Sequence, residues 1–227
     1  MLVSLTAGAA FVELVDAVTS EEGASSPDAE VARWIAERRT PWVTALMRLT
    51  TRLADYAIAG TVAAAAAVAL VAARRRGPAS ALVASSLGAM LVTEVLKEVV
   101  GRERPMADGR LVEAAGHAFP SGHSSQAVAC YGGLALAVVL TTRSSRRRAA
   151  AVAAVAVVAL AVGTSRVYLG VHWPADVLSG WIVGLTWLAL VASGSLLLQR
   201  LDRPRGWWPV ERDGSATRCA CRRWPGR

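Results

Sequence analysis

Apolar positions along this chain gather into six runs separated by short polar joints. The first extends from Met1 to about Val18 and is interrupted by Glu13 and Asp16. The other five cover about Tyr56–Ala73, Ala79–Leu96, Ser124–Thr142, Ala149–Thr164 and Trp173–Leu198. A helix needs ~20 apolar residues to cross the hydrocarbon core of a bilayer. The runs approach that length, with Ala149–Thr164 the shortest of the later five. They are rich in Ala, Val and Leu, and their small residues let helices approach closely. The pattern predicts an all-α, polytopic transmembrane bundle of five spans, or six spans if the short first run crosses as well rather than forming a partial or re-entrant segment.

The segment Thr19–Asp55 has a different texture. Trp34, Ile35, Trp42, Leu46 and Met47 alternate with Arg33, Arg38, Arg39, Arg48 and Arg52. This mixture predicts an amphipathic helical stretch at the membrane surface, with the tryptophans at headgroup level. An ordinary surface helix is the alternative. The chain therefore divides into residues 1–55 (short first span and extracytoplasmic amphipathic segment), 56–200 (transmembrane core) and 201–227 (basic cytoplasmic tail). No basic segment precedes the first run, so it does not read as a cleavable signal peptide.

Composition supports the membrane reading. Of 227 residues, 54% are hydrophobic, and the mean hydropathy is +0.39. The net charge of +8 raises the question of nucleic acid. The arginines, however, punctuate apolar runs and carry no nucleic-acid motif, so no nucleic-acid partner is expected. Cys130 lies inside an apolar run and reads as a packed thiol. Cys219 and Cys221 sit in the tail as free thiols, since no histidine stands near them to complete a metal site.

Charge also orients the bundle. Arg74–Arg76, Arg143 with Arg146–Arg148, and Arg200 with Arg203 and Arg205 mark three joints. The positive-inside rule makes these cytoplasmic. The joints Lys97–His123 and Ser165–His172 then face outward, and they hold nearly all the unusual residues.

Lys97, Arg104 and Arg166 come from the ends of different spans. Three converging cations repel one another unless an anion compensates, and a phosphate suits arginine forks and a lysine point charge. Snorkelling is the alternative for any arginine at a membrane surface, and it is the reading adopted for Arg102 and Arg110. Pro120-Ser121-Gly122-His123 opens an apolar helical run. A helix start presents free N–H groups and the positive end of the dipole to an anion. Gly122 removes a side chain where phosphate must come close, and the Ser121 hydroxyl adds a donor; a plain helix cap is the alternative.

His172 and Asp176 stand four residues apart at the start of the last run. That spacing puts both side chains on one helical face. Asp176 would hold one ring nitrogen of His172 and leave the other as a nucleophile. A carboxylate in an apolar span is costly, which favours a functional role. Two histidines suggest a division of labour: His172 attacks phosphorus and forms a phosphohistidine, while His123 protonates the leaving oxygen. His117 reads as an exposed loop histidine. The acids of the outward joints (Glu103, Asp108, Glu113) have no ligand spacing, so no metal site and no cofactor are expected.

These residues resemble the type 2 phosphatidic acid phosphatase superfamily, whose signature has three blocks: Lys-x6-Arg-Pro, Pro-Ser-Gly-His and Ser-Arg-x5-His-x3-Asp. Here they read Lys97 to Arg104-Pro105, Pro120 to His123, and Ser165-Arg166 to His172 and Asp176, with every fixed position matched. The resemblance covers about Tyr56 to Leu198. It implies a six-helix membrane core and a metal-independent phosphatase acting on a lipid phosphate or pyrophosphate. Undecaprenyl pyrophosphate, phosphatidylglycerophosphate and phosphatidic acid are examples. It also implies catalytic roles for His172, His123 and Asp176, and phosphate binding by Lys97, Arg104, Ser121, Gly122 and Arg166. The Ala-, Arg- and Val-rich composition looks like a GC-rich bacterial genome, which suggests a bacterial cell membrane. Membrane lipids and the phosphorylated lipid substrate are then the expected partners; oligomeric state is left unassigned. Two other functions fit the same residues: a vanadate-dependent haloperoxidase, whose soluble members resemble this family, and a lipid-phosphate binding or transport protein without catalysis.

Overall fold

The computed structural model describes Glu13, Val15 and residues 27–105 and 109–201. Apart from Glu13 and Val15, the short first run lies outside the described residues, as do Met106–Asp108 and the tail with Cys219 and Cys221. Seven helices are delimited among the described residues, which contain no strand: α1 Pro27–Ala36, α2 Pro41–Arg52, α3 Tyr56–Ala72, α4 Arg76–Val100, α5 Gly122–Thr141, α6 Ser145–Tyr168 and α7 Pro174–Leu201.

Local chemistry sets the boundaries. Pro41 and Pro174 occupy first-turn positions, where a missing N–H costs nothing. Gly101 ends α4 at φ 67°, a left-handed conformation that favours glycine. Ser121 caps α5, accepting from Ser124 N, and Ser144 caps α6, accepting from Arg147 N. The Ser144 cap lies upstream of the apolar run, so α6 takes Arg146–Arg148 into its first turn and Arg166 into its last. It is eight residues longer than the hydrophobic pattern alone suggests.

Helices α4, α5, α6 and α7 are each long and apolar enough to cross a membrane. The α2–α3 pair, bent by 47° at residues 53–55, would make a fifth span if taken as one. The described part of the stretch Thr19–Asp55 thus contains two separate helices, and the second leads through the bend into α3. Its tryptophans are exposed, Trp34 at 58% and Trp42 at 71%.

Helix α5 is the hub, packing against α3, α4, α6 and α7. Small residues make this possible. A Cβ at Gly180 or Gly184 of α7 would stand 2.5 Å from Ser121 O or 2.7 Å from Ser125 O. This pair, four residues apart, lets the α7 backbone lie directly on the start of α5. Leucines and valines of α4, α6 and α7, such as Leu91, Val157 and Leu197, point outward, as expected where the surrounding solvent is lipid.

Candidate active site

Residues of the joints Lys97–His123 and Ser165–His172 converge at one end of the bundle, around a cavity of about 390 Å³. Six of the eight expected site residues line it: Lys97, Arg104, Gly122, His123, Arg166 and His172. The other two, Ser121 and Asp176, are fully buried behind them.

Arg104 leaves the loop after α4 and uses its whole guanidinium. Nε donates to Gly116 O at 2.9 Å, and NH2 to Ala115 O at 2.8 Å and His117 O at 3.1 Å. NH1 donates to Val171 O at 2.8 Å and meets His172 Nε2 at 3.2 Å. His117 thereby serves through its carbonyl, which helps to hold Arg104. An arginine can only donate, so the contact with His172 requires Nε2 to carry a lone pair. The ring proton then belongs on Nδ1, which lies 3.4 Å from Asp176 Oδ2. This is the tautomer a nitrogen nucleophile needs. Burial first, and then the charges of Arg166, Arg104 and Lys97, push the His172 pKa well below the ordinary histidine value. The imidazole is held neutral.

The His172–Asp176 pair forms, though not on one helical face. Helix α7 begins at Pro174, so His172 precedes it. The two meet because Asp176 Oδ2 reaches back to accept from Trp173 N at 2.8 Å. This is the return half of a capping box, and it folds the preceding turn over the helix start.

Arg102 is a correction. It is not a snorkelling surface arginine. NH1 donates to Asp176 Oδ1 at 2.6 Å and NH2 to Asp28 Oδ2 at 2.8 Å. Asp28 in turn accepts from Ala175 N at 3.0 Å. The reason is burial: Asp176 is 0% exposed, and a carboxylate there needs a charged partner. Arg110, partly buried, folds onto its own loop, with Nε donating to Pro105 O at 2.8 Å.

Arg166, 5% exposed, donates from NH1 to Thr51 Oγ1 at 2.8 Å. Its Nε is buried without a hydrogen-bond partner, and no carboxylate pairs with it among the described residues. A buried, unpaired guanidinium is costly unless an anion joins it. Lys97 pairs with Glu94 at 2.8 Å, and the Tyr56 hydroxyl donates to the same carboxylate oxygen at 2.7 Å. A Cβ on Gly122 would run into that hydroxyl and stand 3.2 Å from Lys97 Nζ, so a side chain here would displace both groups. The Ser121 oxygen is engaged by the cap and by Ser124 Oγ at 3.0 Å. The N–H groups of Gly122 and His123 follow at the open end of the helix dipole.

His123 Nε2 lies 2.7 Å from Asp55 Oδ1, and Tyr56 stacks on the ring at 6.5 Å between centroids. Asp28, Thr51, Asp55, Tyr56 and Glu94 were not among the residues expected at the site. The one hint in the sequence was an acid, Asp55, at the polar edge of an apolar run. No group of three or more His, Cys, Asp or Glu side chains able to hold a metal occurs among the described residues.

A family model described as the PAP2 superfamily matches residues 78–198. Phosphatidylglycerophosphatase B of Bacillus subtilis (strain 168) is 40% identical over 102 residues, covering 44% of this chain and 50% of that protein. An undecaprenyl-diphosphatase of Sulfolobus acidocaldarius is 31% identical over 131 residues, covering 56% of this chain and 59% of that protein. The chain thus spans between half and three fifths of the curated relatives it matches. Among solved structures, the PAP2-type phosphatidylglycerolphosphate phosphatase of Bacillus subtilis superposes with a TM-score of 0.82. Its identity is 27%, over 90% of this chain and 100% of that one. LpxE of Aquifex aeolicus shares the fold, with a TM-score of 0.55 at 22% identity over 72% of this chain and 93% of that one.

Proposed function

This chain belongs to the PAP2 superfamily, and from that premise we propose that it is an integral-membrane phosphatase that hydrolyses a lipid phosphate or pyrophosphate without a metal. The observation that carries the reading is the pairing of a neutral His172, its Nε2 lone pair fixed by Arg104, with an unpaired buried cation, Arg166, in one cavity.

In this reading the phosphoryl group sits among Lys97, Arg104, Arg166 and the N–H groups of Gly122 and His123, at the helix start that Ser121 caps. The cations stabilise the charge that spreads over its oxygens. His172 Nε2 forms the bond to phosphorus as the bond to the leaving oxygen breaks, and that oxygen takes a proton from His123. Asp176 stabilises the positive charge that develops on His172. Water then hydrolyses the phosphohistidine, giving its proton to His123. By the arginine-rich joints, the cavity opens on the extracytoplasmic side. The N-terminal run would bring the spans to six.

The substrate classes of the two curated relatives, phosphatidylglycerophosphate and undecaprenyl pyrophosphate, are the first to test, with phosphatidic acid beside them. Purified protein in detergent should release phosphate from at least one of these lipids, with and without EDTA. His172→Ala should bind detergent and fold as before and release none. Phosphate release that EDTA abolishes and Mg²⁺ restores would refute the metal-free step. Halide oxidation supported by vanadate would redirect the reading to a haloperoxidase, and binding without turnover to a transport protein.

A further inference from the structure

The two cavity histidines have unlike carboxylate partners. Asp176 serves His172 at 3.4 Å and is shared: it also accepts from Arg102 and from Trp173 N. The Asp55 side chain, among the described residues, serves His123 alone, at 2.7 Å. Asp55 stands at the N-cap position of α3 yet makes no side-chain cap hydrogen bond. An aspartate there ordinarily accepts from the first turn of its own helix. Here that stabilisation is given up, and the carboxylate turns to the histidine.

The bend that carries Asp55 is anchored on both sides. Ala54 is fully buried against Ala127 of α5 and Val162 of α6. The Tyr131 hydroxyl of α5 donates to Leu53 O at 2.7 Å. The next residue, Tyr56, lies with its ring at 27° to that of His123. One dipeptide at a fixed bend therefore holds His123 by an edge and by a face. Among the described residues His123 Nδ1 has no hydrogen-bond partner, which leaves it for a proton transfer.

We infer that Asp55 is a positioning residue for proton delivery, holding His123 by Nε2 so that Nδ1 presents its proton to the leaving oxygen. The inference rests on the phosphatase reading above. Its electrostatic reason is local. His123 shares the cavity with Arg166, and a second positive charge beside that guanidinium needs a compensating carboxylate. Asp55 supplies it. In the step itself, the electron pair of the P–O bond stays with the leaving oxygen. The proton moves from His123 Nδ1 to that oxygen, and neutral His123, still held by Asp55, later accepts one proton from the attacking water.

The test uses leaving groups of different quality. An alkyl oxide leaves poorly unless protonated, whereas p-nitrophenolate leaves unaided. In Asp55→Asn, kcat/KM for a lipid phosphate, which reports the step that breaks the P–O bond, should fall roughly 10²-fold, the typical worth of general acid catalysis. The fall in kcat/KM for p-nitrophenyl phosphate should be far smaller. His123→Ala should show the same pattern, and the double variant should be no worse than His123→Ala alone. Turnover of p-nitrophenyl phosphate reports that Asp55→Asn is folded. Equal losses on both substrates, or no loss on either, would overturn the inference while leaving the phosphatase reading in place. A wild-type protein that turns over neither substrate defeats that reading and the inference with it.

Discussion

Replacing Arg102 by leucine removes the cation that bridges Asp28 and Asp176. Its guanidinium stands 2.6 Å from Asp176, which is 0% exposed, and 2.8 Å from Asp28, whose side chain is 14% exposed. Two unit charges about 4 Å apart attract by about 4 kcal/mol at an effective dielectric of about 20. That agrees with the roughly 3–5 kcal/mol measured when one partner of a buried pair is removed. The variant is left with two carboxylates facing one apolar space, and each helix-start hydrogen bond they accept is strained by their repulsion. For a chain of this size about 1 kcal/mol moves the melting temperature by about 2–4 °C. Arg102→Leu should therefore lower it by about 6–20 °C in detergent, read by intrinsic tryptophan fluorescence or a dye assay. Adding Asp28→Asn should recover part of the loss, because the residual repulsion goes with it. Phosphate release should fall along with stability, since Asp176 then no longer orients His172. A fall of less than about 2 °C, or strict additivity with Asp28→Asn, would refute the role given to this arginine.

Three further outcomes are expected. Gly122→Ala drives a methyl group into the Tyr56 hydroxyl and against Lys97; displacing a cation from the phosphoryl site predicts a kcat/KM loss of about 10- to 100-fold, and wild-type kinetics would contradict the close approach. Histidine-selective ¹⁵N NMR, assigned with His172→Ala, should find His172 neutral at pH 6; an imidazolium there would contradict the geometry. The sign follows from its depressed pKa: this group's contribution to stability is complete above the unfolded value of about 6.5 and is lost as pH falls below it. Vanadate, which adopts the five-coordinate geometry of a transferring phosphoryl group, should inhibit competitively, and indifference to it would count against phosphoryl transfer in this cavity.

Much of the site was legible in the chain because its signals are local. Gly122 next to His123, Pro174 ahead of Asp176, and the seven-residue step from Lys97 to Arg104 are short-range patterns tied to helix starts and ends. Spacing alone misjudged one detail. It put His172 and Asp176 on a shared helical turn, whereas a capping turn before α7 brings them together. The outcome is the same because four residues span either geometry.

By itself the sequence determined where the long apolar runs fall, that Ser121-Gly122 opens one of them as a helix start, and which cations and histidines gather in the joints Lys97–His123 and Ser165–His172. Burial periodicity and capping chemistry act over a few residues, so a linear reading captures them. Only the tertiary structure decided which partner each of those groups received. Arg102 finds Asp28 and Asp176 each 74 positions away, His123 finds Asp55 across 68, and Arg166 finds Thr51 across 115. These pairings depend on the bend between α2 and α3 and on the close seating of α7 against α5. A charge in a low-dielectric bundle is satisfied by whatever the packing brings within reach, and no spacing along the chain encodes that distance.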